Sequence, residues 1–197
     1  MRKFISVLFV FSLLLTGCNS KEKTKEKDNS QNVCDVDCVK SDMEEYETLQ
    51  GVDHVFLETT YEQAIQKLED DTFTGILYFG FPKCPWCEEA VPIMNEIAKE
   101  KNLDIYYVNK RSEDSLAHPE LETKIIKILD EAYGLDKDKE GNLRLYVPEV
   151  VTVRKGKILS HHLGTVDGHD AKERKMSDDE ISLLTSIYQK MFDKIKK

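Results

Sequence analysis

Two cysteines stand three residues apart in Cys84-Pro85-Trp86-Cys87, behind the apolar run Gly75-Ile76-Leu77-Tyr78-Phe79 and at the head of a helical pattern. This constrains the local fold strongly. The apolar run reads as a central strand, and Ala90, Val91, Ile93, Met94 and Ile97 continue the segment as a helix. Cys84 then falls on the helix N-cap. Pro85 takes the first helical position, where a missing amide loses nothing. Cys87 lies one turn further in, on the same face. A sulfur at an N-cap meets unpaired amides and the positive helix end, both of which favour the thiolate. Lys83 adds a positive charge next door. These are the requirements of thiol–disulfide exchange, with Cys84 as attacking thiol and Cys87 as resolving thiol. Pro92, inside the helix, is expected to kink it.

The surrounding pattern alternates strand and helix. His54–Thr59 reads as a strand, and Thr60 caps a helix that buries Tyr61, Ala64, Ile65 and Leu68. Leu103–Val108 is a strand. Pro119–Tyr133 is a helix with Leu121, Ile125, Ile128 and Leu129 inward, ended by Gly134. Val150–Val153 and Ile158–Leu163 flank Arg154-Lys155-Gly156-Lys157 as a hairpin. A last helix starts near Asp178, read as its cap, and buries Ile181, Leu184, Ile187 or Tyr188, Met191 and Ile195. The expected fold class is α/β: a mixed central sheet covered by helices, closed by a hairpin and a helix.

The amino terminus reads as a targeting segment. Met1-Arg2-Lys3 is cationic, Phe4 to Leu15 is apolar but short for a bilayer span, and Leu15-Thr16-Gly17-Cys18 follows. Small residues before a cysteine at that point resemble a bacterial lipobox. The resemblance implies cleavage after residue 17, a lipid on Cys18 and anchoring at the extracytoplasmic face of the cell membrane. Asn19 to Asn32 is polar and crowded with charge, which suits a solvated tether. The expected organisation is a signal peptide over 1–17, a lipid-anchored tether with a cysteine pair over 18–53, and a folded domain over 54–197. Five cysteines less Cys18 leave Cys34, Cys38, Cys84 and Cys87, an even set that suits an oxidising compartment. The net charge of −9, with both signs mixed throughout, argues against a nucleic-acid partner.

Over residues 54–197 the chain resembles the thioredoxin-fold family. Cys84-Pro85-Trp86-Cys87 looks like its redox motif, Pro92 like its kinking proline, and Val147-Pro148 like its cis-proline. The resemblance implies a loop at Val147 and Pro148 that faces the cysteines and, with an exposed Trp86, contacts an extended substrate. It implies no cofactor beyond a redox-active Cys84–Cys87 disulfide. Partners would be thiols and disulfides of exported proteins, with a membrane redox protein as a further candidate. Three departures stand out. Tyr78 occupies the position of thioredoxin's buried aspartate, an insertion lies between Leu135 and Val147, and residues 19–53 have no counterpart in the minimal fold. The wording around the motif is also similar to thioredoxin-like accessory proteins of bacteriocin export.

The proline after Cys84 and the valine before Pro148 resemble periplasmic oxidants, so the expected direction is oxidase or isomerase. A membrane-tethered reductase, as in cytochrome c assembly, is the alternative, and a metal-binding lipoprotein on the same fold is the non-enzymatic rival. An inert disulfide or a four-thiol zinc site with Cys34 and Cys38 gives Pro92 and Pro148 no role. Cys34 and Cys38 themselves suit a structural disulfide or a second redox pair. Glu88 and Glu89 read as solvated helix charges. Asp136, Asp138 and Glu140 recapitulate part of a calcium loop but read as a solvated turn. His161 and His162 alternate across a strand and read as structural, while His54, His118 and His169 show no constellation.

Overall fold

A computed structural model describes residues 38–196. Cys18 and Cys34, with the signal peptide and the polar tether, lie outside the described residues. The elements are β1 (Phe56–Glu58), α1 (Tyr61–Glu69), β2 (Gly75–Gly80), α2 (Pro85–Glu100), β3 (Ile105–Asn109), α3 (Glu113–Ala117), α4 (Pro119–Tyr133), β4 (Glu149–Arg154), β5 (Lys157–Leu163) and α5 (Asp178–Lys196). The five strands form one sheet in the order β1-β3-β2-β4-β5. β1, β3 and β2 run parallel, and β4 and β5 pair antiparallel. This is the mixed sheet covered by helices that the alternation of elements predicts, in the thioredoxin-like arrangement that the resemblance implies.

Side-chain alternation along the strands explains the two layers. Phe56, Ile76, Tyr78, Ile105, Tyr107 and Val150 face α2 and α5. Leu57, Leu77, Phe79, Tyr106, Val108 and Val151 face α1 and α4. β2 is buried at every position, as its unbroken apolar run requires. Thr60 caps α1 in a reciprocal box with Gln63, and Gly134 ends α4 at φ 78°. Lys155 and Gly156 both take positive φ, which suits the two-residue hairpin turn.

Three expectations are corrected. The folded body begins before residue 54. Ser41 donates to the Phe56 carbonyl, Glu58 donates to Val39, and Lys40 bridges to Leu57. Met43, Tyr46 and Leu49 are buried in the core beneath α2, around a short 3-10 turn over Glu47–Leu49. Ser177, not Asp178, caps α5: its Oγ accepts from the Glu180 amide at 3.3 Å, and Glu180 returns the bond to the Ser177 amide at 2.8 Å. Ile181 faces solvent, while Phe192 joins Leu184, Tyr188, Met191 and Ile195 on the buried stripe. The short helix α3, capped by Ser112, adds an element the apolar pattern was too brief to reveal.

Candidate active site

β2 delivers Cys84 to the N-terminus of α2. Backbone φ −81° and ψ 116° make it the N-cap, with Pro85 as the first helical residue. The Cys87 amide donates to the Cys84 sulfur at 3.4 Å. Both cysteines are free thiols, with Cys84 4% exposed and Cys87 fully buried. The Cys84 thiol is lowered from 9.0 to about 7. The largest cause is the hydrogen bond from the Cys87 thiol. The amides of Cys87 and Trp86 and the charge of Arg111 add to it, and burial opposes it. The Cys87 thiol is pushed far up, chiefly by burial and then by its hydrogen bond to Cys84. One ready nucleophile therefore sits above one protonated partner. That asymmetry is the one exchange chemistry needs.

The cation that acts most strongly on Cys84 is Arg111; the expectation placed Lys83 there. Lys83 is exposed and takes φ 64°. Arg111 follows β3, the parallel neighbour of β2. The Lys110 amide donates to the Gly80 carbonyl at 2.9 Å, and the Arg111 guanidinium lies 3.6 Å from the Phe81 ring centre. Sequence reasoning had no sign of this, because it rests on strand order.

Glu88 and Glu89 are buried, contrary to the solvated reading. Glu88 accepts from the Lys83 amide at 3.3 Å and from the Thr48 hydroxyl at 3.2 Å, so it ties the loop before Cys84 to the segment ahead of β1. Glu89 pairs with His169 at 3.2 Å and accepts from the Met176 amide at 2.6 Å. His169 thus belongs to a buried hydrogen-bonded cluster with Glu89 and the Met176 amide.

Trp86 is half-buried, not fully exposed, and the Lys172 ammonium lies 5.4 Å from its ring centre. The Val147-Pro148 peptide is cis. Phe79 pairs with Glu149, so Val147 and Pro148 run beside the end of β2 that leads to the cysteines. Gly164 donates to the Pro148 carbonyl at 2.8 Å, and Lys110 donates to Leu145, fixing the loop from both sides. Glu149 points to the opposite face, where it accepts from Tyr133 at 3.2 Å and pairs with His161 at 3.1 Å. His162 contacts the Thr165 carbonyl at 2.6 Å and the Tyr188 ring. The two histidines serve different faces, as strand alternation requires.

Tyr78 is fully buried beneath the cysteines, in the place where a carboxylate was expected to be missing. Its hydroxyl lies 3.1 Å from that of Tyr46, which donates to Tyr107 at 3.1 Å. Cys38 is disulfide-bonded. Asp138 receives the amides of Glu140 and Asn142 and the Arg144 side chain, which makes this stretch a turn closed on itself.

No protein-family model matches the chain, and no curated protein is significantly similar to it. Among solved structures, a thioredoxin-fold protein described as an oxidoreductase aligns with 11% identity over 56% of this chain and 83% of its own, at a TM-score of 0.39. Thioredoxin O2 from Arabidopsis thaliana, in its oxidized state, aligns with 14% identity over 68% of this chain and 96% of its own, at a TM-score of 0.40. Strand order and hairpin carry the fold assignment on their own.

Proposed function

We propose that the chain is a thiol–disulfide oxidoreductase that acts on exported proteins. One observation carries this reading: the Cys84 sulfur caps α2 and accepts from the Cys87 amide at 3.4 Å, which helps to lower this thiol, while Cys87 is fully buried one turn further in. Cys84 attacks a client disulfide and forms a mixed disulfide; Cys87 then displaces the client thiol. In reverse, a client thiolate attacks Cys84 of the oxidised pair, and Cys87 leaves. Trp86 and the loop at Val147 and Pro148 flank Cys84 and form the surface on which the client lies.

The order of cationic, apolar and lipobox-like segments supports a lipid anchor at Cys18 and work on the extracytoplasmic face of the membrane. Among the described residues no helix is long and apolar enough to cross a membrane. For direction, the proline after Cys84 and the valine before Pro148 support the oxidase or isomerase reading, with a membrane-tethered reductase as the alternative. A midpoint potential near that of thioredoxin, with both thiols reduced in intact cells, selects the reductase.

The test of the activity is Cys87→Ala in the full chain. Without its resolving thiol, Cys84 stays joined to clients, which non-reducing gels resolve and mass spectrometry identifies. If no mixed disulfide accumulates, and the purified protein instead carries stoichiometric copper or zinc, the metal-binding rival replaces this reading.

A further inference from the structure

Thiol–disulfide exchange in either direction passes through a Cys87 thiolate. As nucleophile, Cys87 gives up its proton and its sulfur bonds to Cys84. The bond between Cys84 and the client breaks, and the client sulfur leaves with the electron pair and takes up a proton. The client disulfide is reduced by two electrons, and the cysteine pair is oxidised by two. In reverse, Cys87 is the leaving group. Either way a full negative charge forms on a sulfur with no exposure to water. An anion buried without a hydrogen-bond donor is very costly. The sulfur therefore needs a donor from within the protein.

Tyr78 is placed for that role. It lies on β2, six residues before Cys84, facing α2. Its side chain runs along the strand over Gly80: a Cβ built on Gly80 falls 2.1 Å from the Tyr78 hydroxyl and 2.4 Å from the ring carbon that bears it. Only a residue without a side chain leaves that path open toward the head of α2. The Tyr78 ring stacks on Tyr107, with centres 5.2 Å apart and planes 20° apart, so its direction is fixed. Tyr78 and Cys87 share one buried cluster beneath α2, and against the effect of burial Tyr78 and the Phe81 backbone both favour the Cys87 thiolate.

Tyr46 sets the state of that hydroxyl. It comes from residues 40–52, ahead of β1, and is fully buried. Thr48 anchors this segment to the Glu88 carbonyl at 2.9 Å, and Asn95 holds the Asp53 carbonyl at 3.1 Å. Tyr46 donates to Tyr107 and shares a contact with Tyr78 in which either oxygen can be the donor. The Tyr78 proton therefore has two acceptors: the Tyr46 oxygen while Cys87 is a thiol, and the Cys87 sulfur once it is a thiolate. Burial raises all three phenols above their usual range, so the cluster donates hydrogen bonds and carries no charge of its own.

We propose that Tyr78 is the donor that holds the Cys87 thiolate during exchange, and that Tyr46, supplied by the segment ahead of the minimal fold, is its positioning residue. This rests on the exchange reading above, and the test separates the two. The reduced full-length protein is mixed with one equivalent of the chromogenic disulfide DTNB in a stopped-flow instrument. A first coloured thiolate marks attack by Cys84; a second marks displacement by Cys87. Tyr78→Phe keeps the ring and its stacking. It is expected to leave the first phase unchanged and to slow the second by about tenfold or more, the scale of one hydrogen bond to a charged group. Tyr46→Phe is expected to slow the same phase by less. Thermal melts check that each variant is folded; if Tyr78→Phe is not, Tyr46→Phe decides alone. An unchanged second phase in the folded variants overturns the inference, as does equal slowing of both phases, which marks a general structural defect. A wild-type protein that releases no coloured thiolate overturns the exchange reading itself.

Discussion

Raising the pH across neutrality is the most direct perturbation of Cys84. A thiol at about 7 is half ionised at pH 7, whereas one at 9.0 is about 1% ionised there. Cys84 therefore carries about fifty times more thiolate at pH 7 than an unperturbed thiol; because a thiolate of lower pKa is a weaker nucleophile, its alkylation by iodoacetamide is expected to be faster by about five- to tenfold at equal access. Brief alkylation of the reduced protein from pH 5 to 9.5, followed by peptide mass spectrometry, gives the profile for each cysteine. The Cys84 rate should rise with a midpoint near 7, while Cys87 stays unmodified throughout. Stability provides an independent measure. A pKa lowered in the folded state means that the unfolded chain binds more protons between the two values. Stability should then rise with pH from about 7 to about 9 relative to Cys84→Ser, by ~3 kcal/mol in full, and the gain should vanish below about 7. Above 9 the raised Cys87 works in the opposite sense. A Cys84 midpoint at 8.5 or higher, or alkylation of both cysteines together, refutes the assignment of attacking and resolving thiols.

Arg111→Ala should move the Cys84 alkylation midpoint upward, while Lys83→Ala should move it less, because the charge acting most strongly on that sulfur is that of Arg111. Gly80→Ala forces a Cβ into the Tyr78 hydroxyl; a loss of about 1–3 kcal/mol in urea unfolding is expected, along with a slower second phase in the DTNB reaction. If the Gly80→Ala variant matches wild type in both, the argument for the path over Gly80 is removed. Leu49→Ala should cost about 2–5 kcal/mol, since Leu49 lies in the core beneath α2; a cost near zero means that the segment ahead of β1 is not docked in solution. Ser177→Ala should lower stability by about 1 kcal/mol through loss of the α5 cap, and Asp178→Ala should not.

What was legible in the sequence was what local pattern and spacing decide. Thr60, Gly134 and the Lys155-Gly156 turn mark their element ends through side-chain chemistry or positive φ, and the apolar run of β2 implies a strand buried on both faces. The N-cap geometry of Cys84 follows from the same kind of information. What was not legible depends on contacts between distant segments. Glu88 and Glu89 look like surface charges until Thr48, His169 and the Met176 amide arrive from 40 and more residues away. Arg111 reaches Cys84 only because β3 lies beside β2. Met43, Tyr46 and Leu49 are separated by Glu44, Glu45 and Glu47, so the stretch reads as polar although its third-residue spacing buries all three.

The pairing of Val39 and Ser41 with β1 has a further consequence, for solubility. β1 is three residues long and would otherwise present an open row of amides and carbonyls at the margin of the sheet. Such margins recruit any extended chain that passes. On the proposed reading, the protein meets extended client segments, and an unguarded β1 would bind them far from the thiols. By occupying the Phe56 carbonyl and the Glu58 amide, the stretch from Val39 to Ser41 withdraws that margin from competition. On the same reading it leaves client chains to engage the end of the sheet where Cys84 stands.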